Sequence, residues 1–119
     1  MSAFAEHELA YLTGDERPRL ARIATVGKDG TPHVVPVGWR YNPDHDAIEV
    51  RGIELERTKK FRDARRSGRA AIVMDDLASV DPWRPRGIEV RGRAEAVEEG
   101  RPLIRIHPDR VVSWGLRAR

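Results

Sequence analysis

The chain is 119 residues long, the size of one ordinary domain, and a core this small gains from being shared between two copies. Basic residues outnumber acidic ones 22 to 19, a net charge of only +3, and the acids are interspersed with the arginines, which argues against a nucleic-acid surface. Cysteine is absent, no apolar run suffices for a membrane span and no signal-peptide pattern opens the chain, so disulfides and thiolate metal sites are excluded and a cytoplasmic protein without a membrane partner is expected.

Residues 4–12 place Phe4, Leu9, Tyr11 and Leu12 at helical spacing. Residues 19–26 alternate and read as a strand, and Gly27-Lys28-Asp29-Gly30 is a hairpin turn. The partner strand, residues 33–41, is interrupted by Pro36, which has no N–H for a ladder and so marks an edge or a bulge. After a turn at residues 42–46 comes a strand at 47–52, then the strongest helix candidate, residues 58–67, with Gly68 as its C-cap. Residues 69–74 read as a buried strand, 75–86 as a loop and 87–97 as another strand. Two short strands, 103–106 and 110–114, flank His107-Pro108-Asp109. The pentapeptide Ile-Glu-Val-Arg-Gly occurs at 48–52 and again at 88–92, with no repeat around it. About seven short strands and two helices, with hairpin spacing, predict a mainly antiparallel barrel or half-barrel over residues 1–119.

Only three of the basic residues are lysines, and Lys59 and Lys60 both fall in the first helical turn. A helix N-terminus carries about half a positive charge, so cations there are unfavourable unless an anion intervenes. Two readings stand: a solvated face, or a phosphate cradle of free amides, the Thr58 hydroxyl and two ammonium groups. The four histidines lack metal-like spacing, so no metal site is expected; neither a Gly-x-Gly-x-x-Gly motif nor a P-loop is present. Trp83, flanked by Arg84 and Arg86, suits either an interface or a planar anionic ligand.

Several stretches line up with a known family: Leu20-Ala21-Arg22-Ile23-Ala24-Thr25-Val26-Gly27, Val35-Pro36-Val37-Gly38, Lys59-Lys60-Phe61, Pro82-Trp83-Arg84-Pro85-Arg86-Gly87 and Ser113-Trp114-Gly115. On these the chain resembles the pyridoxamine 5'-phosphate oxidase-like split-barrel flavoproteins, in particular their coenzyme F420-dependent branch. The first hairpin is general to the superfamily; the Pro-Trp-Arg-Pro-Arg-Gly loop and Ser-Trp-Gly ending are more specific. The resemblance implies a mainly β split barrel with short helices, a homodimer with two cofactor clefts between its chains, and a deazaflavin (F420)-dependent oxidoreductase acting on a small molecule. The alternative is an FMN-binding flavoprotein or ligand-binding module without turnover of its own.

The same resemblance implies site residues. Thr58, Lys59 and Lys60 would hold the cofactor phosphate, Val35, Pro36, Val37 and Gly38 would run along the ring, and Val50 and Arg51 would line the cleft. Arg86 and Gly87 would flank the cofactor, and Trp114 would come from the second subunit. Trp83 would cover the ligand, while Arg57, Arg62 and Arg84 would meet an anionic tail. No proton donor is assigned; Tyr41 and His33 are the nearest titratable candidates. The second strand lacks the Arg-x-Val-Leu-Leu-Lys pattern of the oxidases, and residues 115–119 leave too short a tail for their vitamin site, so oxidation of pyridoxamine phosphate is not expected.

Overall fold

The computed structural model describes residues 1–116. Helix α1 (Glu6–Thr13) precedes strands β1 (Leu20–Val26), β2 (Pro32–Asn42) and β3 (Ala47–Arg51). A single 3-10 turn then leads into α2 (Lys59–Ser67), followed by β4 (Arg69–Ser79), β5 (Arg84–Val97) and β6 (Leu103–Trp114). The strands form a closed antiparallel barrel in the order β1-β2-β3-β6-β5-β4, sealed where Arg22–Ala24 of β1 meet Ala71–Val73 of β4. Among the described residues no helix is long and apolar enough to cross a membrane.

Burial alternates most clearly along β1 and the first half of β4, and Ile23, Ile48, Val50, Ile72, Met74, Ile88, Val90, Ile104 and Ile106 fill the barrel. Helix α2 docks against the barrel through fully buried Phe61 and Ala64. It begins where the Thr58 hydroxyl accepts a bond from the Phe61 amide and stops at Gly68, whose φ of 68° is left-handed. Both ends match the sequence expectation.

The strand count does not. The two short final strands are one, β6, because a bulge absorbs the interruption: Arg91 pairs with Arg110 and Gly92 with Pro108, so Asp109 is left over. Gly92 makes this possible, since a Cβ there would lie 1.8 Å from the His107 carbonyl oxygen. The expected loop at 75–86 is likewise mostly paired, Asp75 opposite Gly87 through Ser79 opposite Arg84, so only Val80–Trp83 turn. This arm projects past the last β5–β6 pair, Gly87–Trp114, so Pro85 sits on a free edge where it disturbs no ladder. Pro36 is an edge residue as expected: β1 pairs it with Arg22, while β3 joins β2 only from Gly38 onward.

Candidate functional site

The residues singled out in the sequence fall into two groups. The first surrounds the start of α2. Lys59 Nζ lies 3.6 Å from Asp63 Oδ1 one turn along, which offsets the unfavourable dipole. Asp63 is buried, accepts a 3.0 Å bond from the Thr25 hydroxyl, and also faces Arg66 at 3.7 Å. Arg66 in turn donates to the Val26 carbonyl. Lys60 has no acidic partner among the described residues, and partial burial pulls its ammonium below the ordinary lysine pKa. The anomaly noted in the sequence therefore narrows from two lysines to Lys60. The Thr58 hydroxyl is also committed, donating 2.6 Å to the Leu55 carbonyl.

Between α2 and the first hairpin turn lies a cavity of about 730 Å³. Lys28, His33, Lys59, Arg62, Arg65 and Arg66 line it, with Thr31 and two acids, Asp29 and Asp63. Gly27 keeps its floor tight: a Cβ there would meet His33 Nε2, Asp29 Oδ1 and Lys59 Nζ at 3.2–3.4 Å. Lys28, Arg65 and Arg66 were not singled out as site residues. For Arg66 the signal was present, since Lys59, Arg62 and Arg66 recur at i, i+3 and i+7 on one helical face; Lys28, in the hairpin turn, joins them only through the fold. Lys60 lies outside this lining.

Around the barrel from α2, Gly38 pairs with Arg51. Arg51 is loosely held, 3.4 Å from the Arg101 carbonyl and 3.9 Å from Glu49. Glu49 is itself buried, bonded through Oε2 to Asn42 at 2.8 Å and Arg105 at 2.9 Å. Against the cost of that burial, these two bonds and the charges of Arg105 and Arg40 hold the carboxyl below its ordinary pKa. Val50 and Val37 turn their side chains into the core, so the part they can take in a cleft is through backbone. The three tail arginines do not converge. Arg62 lines the cavity, Arg57 pairs with Glu54 at 3.1 Å, and Arg84 stands on the projecting arm.

The second group lies where β5 and β6 end. Trp114 packs directly on Gly87, where a Cβ would lie 2.7 Å from both Trp114 Cζ2 and Asp75 Cβ. Gly115, at a φ of 67°, then folds the chain back over Pro85 and Arg86. One indole face rests on the strand while Trp114 stays 37% exposed. Arg86 points the other way, toward α1, with Nε and Nη2 bonded to Asp76 at 2.8 and 3.1 Å and its guanidinium over the Tyr11 ring. Burial and then the bond it donates to Asp76 push the Tyr11 hydroxyl far above the ordinary phenol pKa. Trp83, 67% exposed, sits at the arm's turn. Of the suggested proton donors, Tyr41 gives its hydroxyl to Asp46 at 2.6 Å, and His33 lines the cationic cavity.

Strand register relates Trp114 to Arg51 around the outside of the barrel. Trp114 lies opposite Gly87, Gly87 opposite Asp75, Leu20 opposite Gly38 and Gly38 opposite Arg51. Extending the Arg22–Val73 register by two residues sets Asp75 opposite Leu20. From Trp114 to Arg51 is thus five of the six steps around the closed barrel; the sixth joins β3 to β6, where Arg51 lies beside Leu103, at the opposite end of β6 from Trp114. The β1–β2 part of this outer surface is apolar, with Leu20, Val26 and Val34 exposed, and the surface carries two ion pairs that were not singled out as part of the site, Arg22 with Asp75 at 3.6 Å and Arg91 with Glu89 at 3.1 Å.

Residues 8–114 match the pyridoxamine 5'-phosphate oxidase family. A relative from Streptomyces rimosus, a 5a,11a-dehydrotetracycline/5a,11a-dehydrooxytetracycline reductase, is 37% identical across 95% of this chain and 84% of its own. Two solved structures share the fold: a FAD-binding protein from Mycobacterium smegmatis (TM-score 0.66, 18% identity, 95% and 96% of the two chains) and an F420 reductase (TM-score 0.64, 20% identity, 87% and 94%). The chain belongs to the pyridoxamine 5'-phosphate oxidase family and is an oxidoreductase.

Proposed function

We propose that this chain is a homodimeric oxidoreductase that uses the deazaflavin coenzyme F420, bound between two copies. The observation that carries this reading is the cationic cavity beside the α2 N-terminus. A cofactor with one phosphate needs few cations, whereas five lysines and arginines, against two acids, around about 730 Å³ suit a phosphate continued by further carboxylates. Lys59 would hold the phosphate from the cavity lining, and Lys60, outside that lining in the same helical turn, would reach it from beside the cavity and gain the anionic partner it lacks among the described residues. Arg62, Arg65, Arg66 and Lys28 would take the remaining anionic groups. When bound, the cofactor supplies the hydride, and the chain supplies anchoring, a flat apolar bed and exclusion of water.

The distance between the two residue groups supports the dimer. Arg51 lies beside the Leu103 end of β6 and Trp114 at the other end of that strand, farther apart than a fused three-ring system spans, so one chain does not bring both to one ring. Two copies facing each other across a two-fold axis set the Arg51 and Gly38 end of one against the Trp114 and Gly87 end of the other. The exposed Leu20, Val26 and Val34 then face the partner chain or the cleft between the two copies. By analogy with the tetracycline reductase relative, the substrate class is a polycyclic compound carrying a carbonyl-activated double bond.

FMN is the alternative cofactor, favoured by the smaller demand of a single phosphate on Thr58 and Lys60. Titrating the protein with oxidised F420 and with FMN, followed by ligand fluorescence at two salt concentrations, separates them. Tighter F420 binding that weakens steeply with salt is expected. Preference for FMN with a shallow salt dependence would overturn the assignment. Lys60→Ala should weaken F420 by about 1.5–3 kcal/mol, the range for a hydrogen bond to a charged group.

A further inference from the structure

Among the outward positions of β1, from Leu20 to Val26, Arg22 is the only charged side chain, and its β2 neighbours Val34 and Pro36 are apolar. Its guanidinium is half-exposed and touches one partner, Asp75, at the long distance of 3.6 Å. Asp75 is the residue whose Cβ, with Trp114 Cζ2, walls the space above Gly87. The pair thus belongs to the indole platform, with most of the five guanidinium N–H donors unused. A surface ion pair of this length contributes little to stability, so stability does not account for a lone charge on an apolar face.

We propose that Arg22 is a catalytic residue: the oxyanion anchor for a substrate in which a carbonyl is conjugated to the double bond being reduced. This rests on the hydride-transfer function proposed above. Hydride adds to the β-carbon, the electron pair of the double bond moves to the carbonyl oxygen as an enolate, and a solvent proton then reaches the α-carbon. The two electrons come from the reduced deazaflavin, which leaves oxidised. The negative charge that builds on oxygen needs a donor that stays cationic in apolar surroundings, which a guanidinium does and an ammonium does less well. Asp75 is the positioning residue, holding the guanidinium beside the platform without satisfying it.

The test uses 4-nitrophenol as an enolate mimic, its ionisation read by absorbance when bound to the protein with and without oxidised F420. Wild type should lower the bound phenol's pKa by about one unit, a tenfold change in the ionised ratio. Arg22→Met should abolish that shift and slow single-turnover reduction of 2-cyclohexen-1-one by reduced F420 at least tenfold, leaving the F420 dissociation constant unchanged; Arg22→Lys should keep part of both. A wild-type protein that leaves nitrophenol unshifted, or an Arg22→Met protein within twofold of wild type in both readings, would overturn the proposal. Should Arg22→Met fail to fold, Asp75→Asn keeps the cation but frees it, and an intermediate shift is expected; no change would overturn the positioning role. Absence of F420 binding by wild type would defeat the function proposed above, and the nitrophenol shift would still report on Arg22.

Discussion

The two halves of the proposed site are built by opposite means. At the α2 end the chain gathers like charges, and a buried acid makes this tolerable: Asp63 sits within 4 Å of both Lys59 and Arg66. At the β5–β6 end the Trp114 seat itself is held by fit and not by charge. Glycines at 87 and 115 leave room, and the Trp114 ring occupies the space a side chain would fill. A charge cluster shares its work among several members and degrades gradually, whereas a steric seat fails with one methyl group. The first half is therefore adjustable, and the second is nearly all-or-none.

Four substitutions sharpen or break this contrast. The largest effect is expected from Phe61→Ala, which removes the fully buried anchor of α2. It should cost about 4 kcal/mol in urea denaturation and abolish anion binding, while the Trp114 seat survives in whatever protein remains folded. A loss below about 1 kcal/mol would mean that α2 is held by something else.

Glu49→Gln comes next, at about 3 kcal/mol near neutral pH, because it removes the buried carboxylate and leaves partly buried Arg105 with only Glu95, at 3.4 Å. The pH dependence carries a sign. The folded-state pKa of Glu49 is depressed, so its stabilisation is complete above the ordinary carboxylate value and is lost as pH falls through the lower folded value. Wild type should lose stability steeply below about pH 4, and Glu49→Gln less steeply. Parallel slopes in the two proteins would contradict this.

Gly87→Ala should cost about 1–3 kcal/mol by overpacking and shift Trp114 fluorescence as the ring is lifted, with cofactor-phosphate binding weakened far less than by Lys60→Ala. An unchanged emission spectrum would show that the seat is not steric. Lys28→Ala is the mildest: less than about 1 kcal/mol in F420 affinity, vanishing at high salt, as for a screened surface charge.

The contrast also explains what the sequence disclosed. Charges announce themselves by residue type and helical spacing, and caps by Thr58 and Gly68, so α2 and its lysines were legible before any coordinates. The Pro36 edge was legible because proline lacks a donor. By comparison, the seam of β6 was hidden. Pro108 looked like a break, and only the pairing shows that Gly92 lets the strand bulge past it. The Arg22–Asp75 pair was hidden for a similar reason, since residues 53 apart meet only when β1 closes the barrel against β4. Resemblance supplied Trp114 and Gly87 as names; the close approach that joins them is a property of the fold.

The claim that two chains complete one site is tested most directly by mixing. Lys60→Ala damages the cationic half and Trp114→Ala the indole half, so each pure variant should bind F420 weakly. After subunit exchange, half-damaged dimers should regain one intact site each, restoring high-affinity binding to about a quarter of all sites. Recovery at that level is the result expected here. No recovery, in a mixture shown to exchange subunits, would mean that each chain binds its cofactor alone.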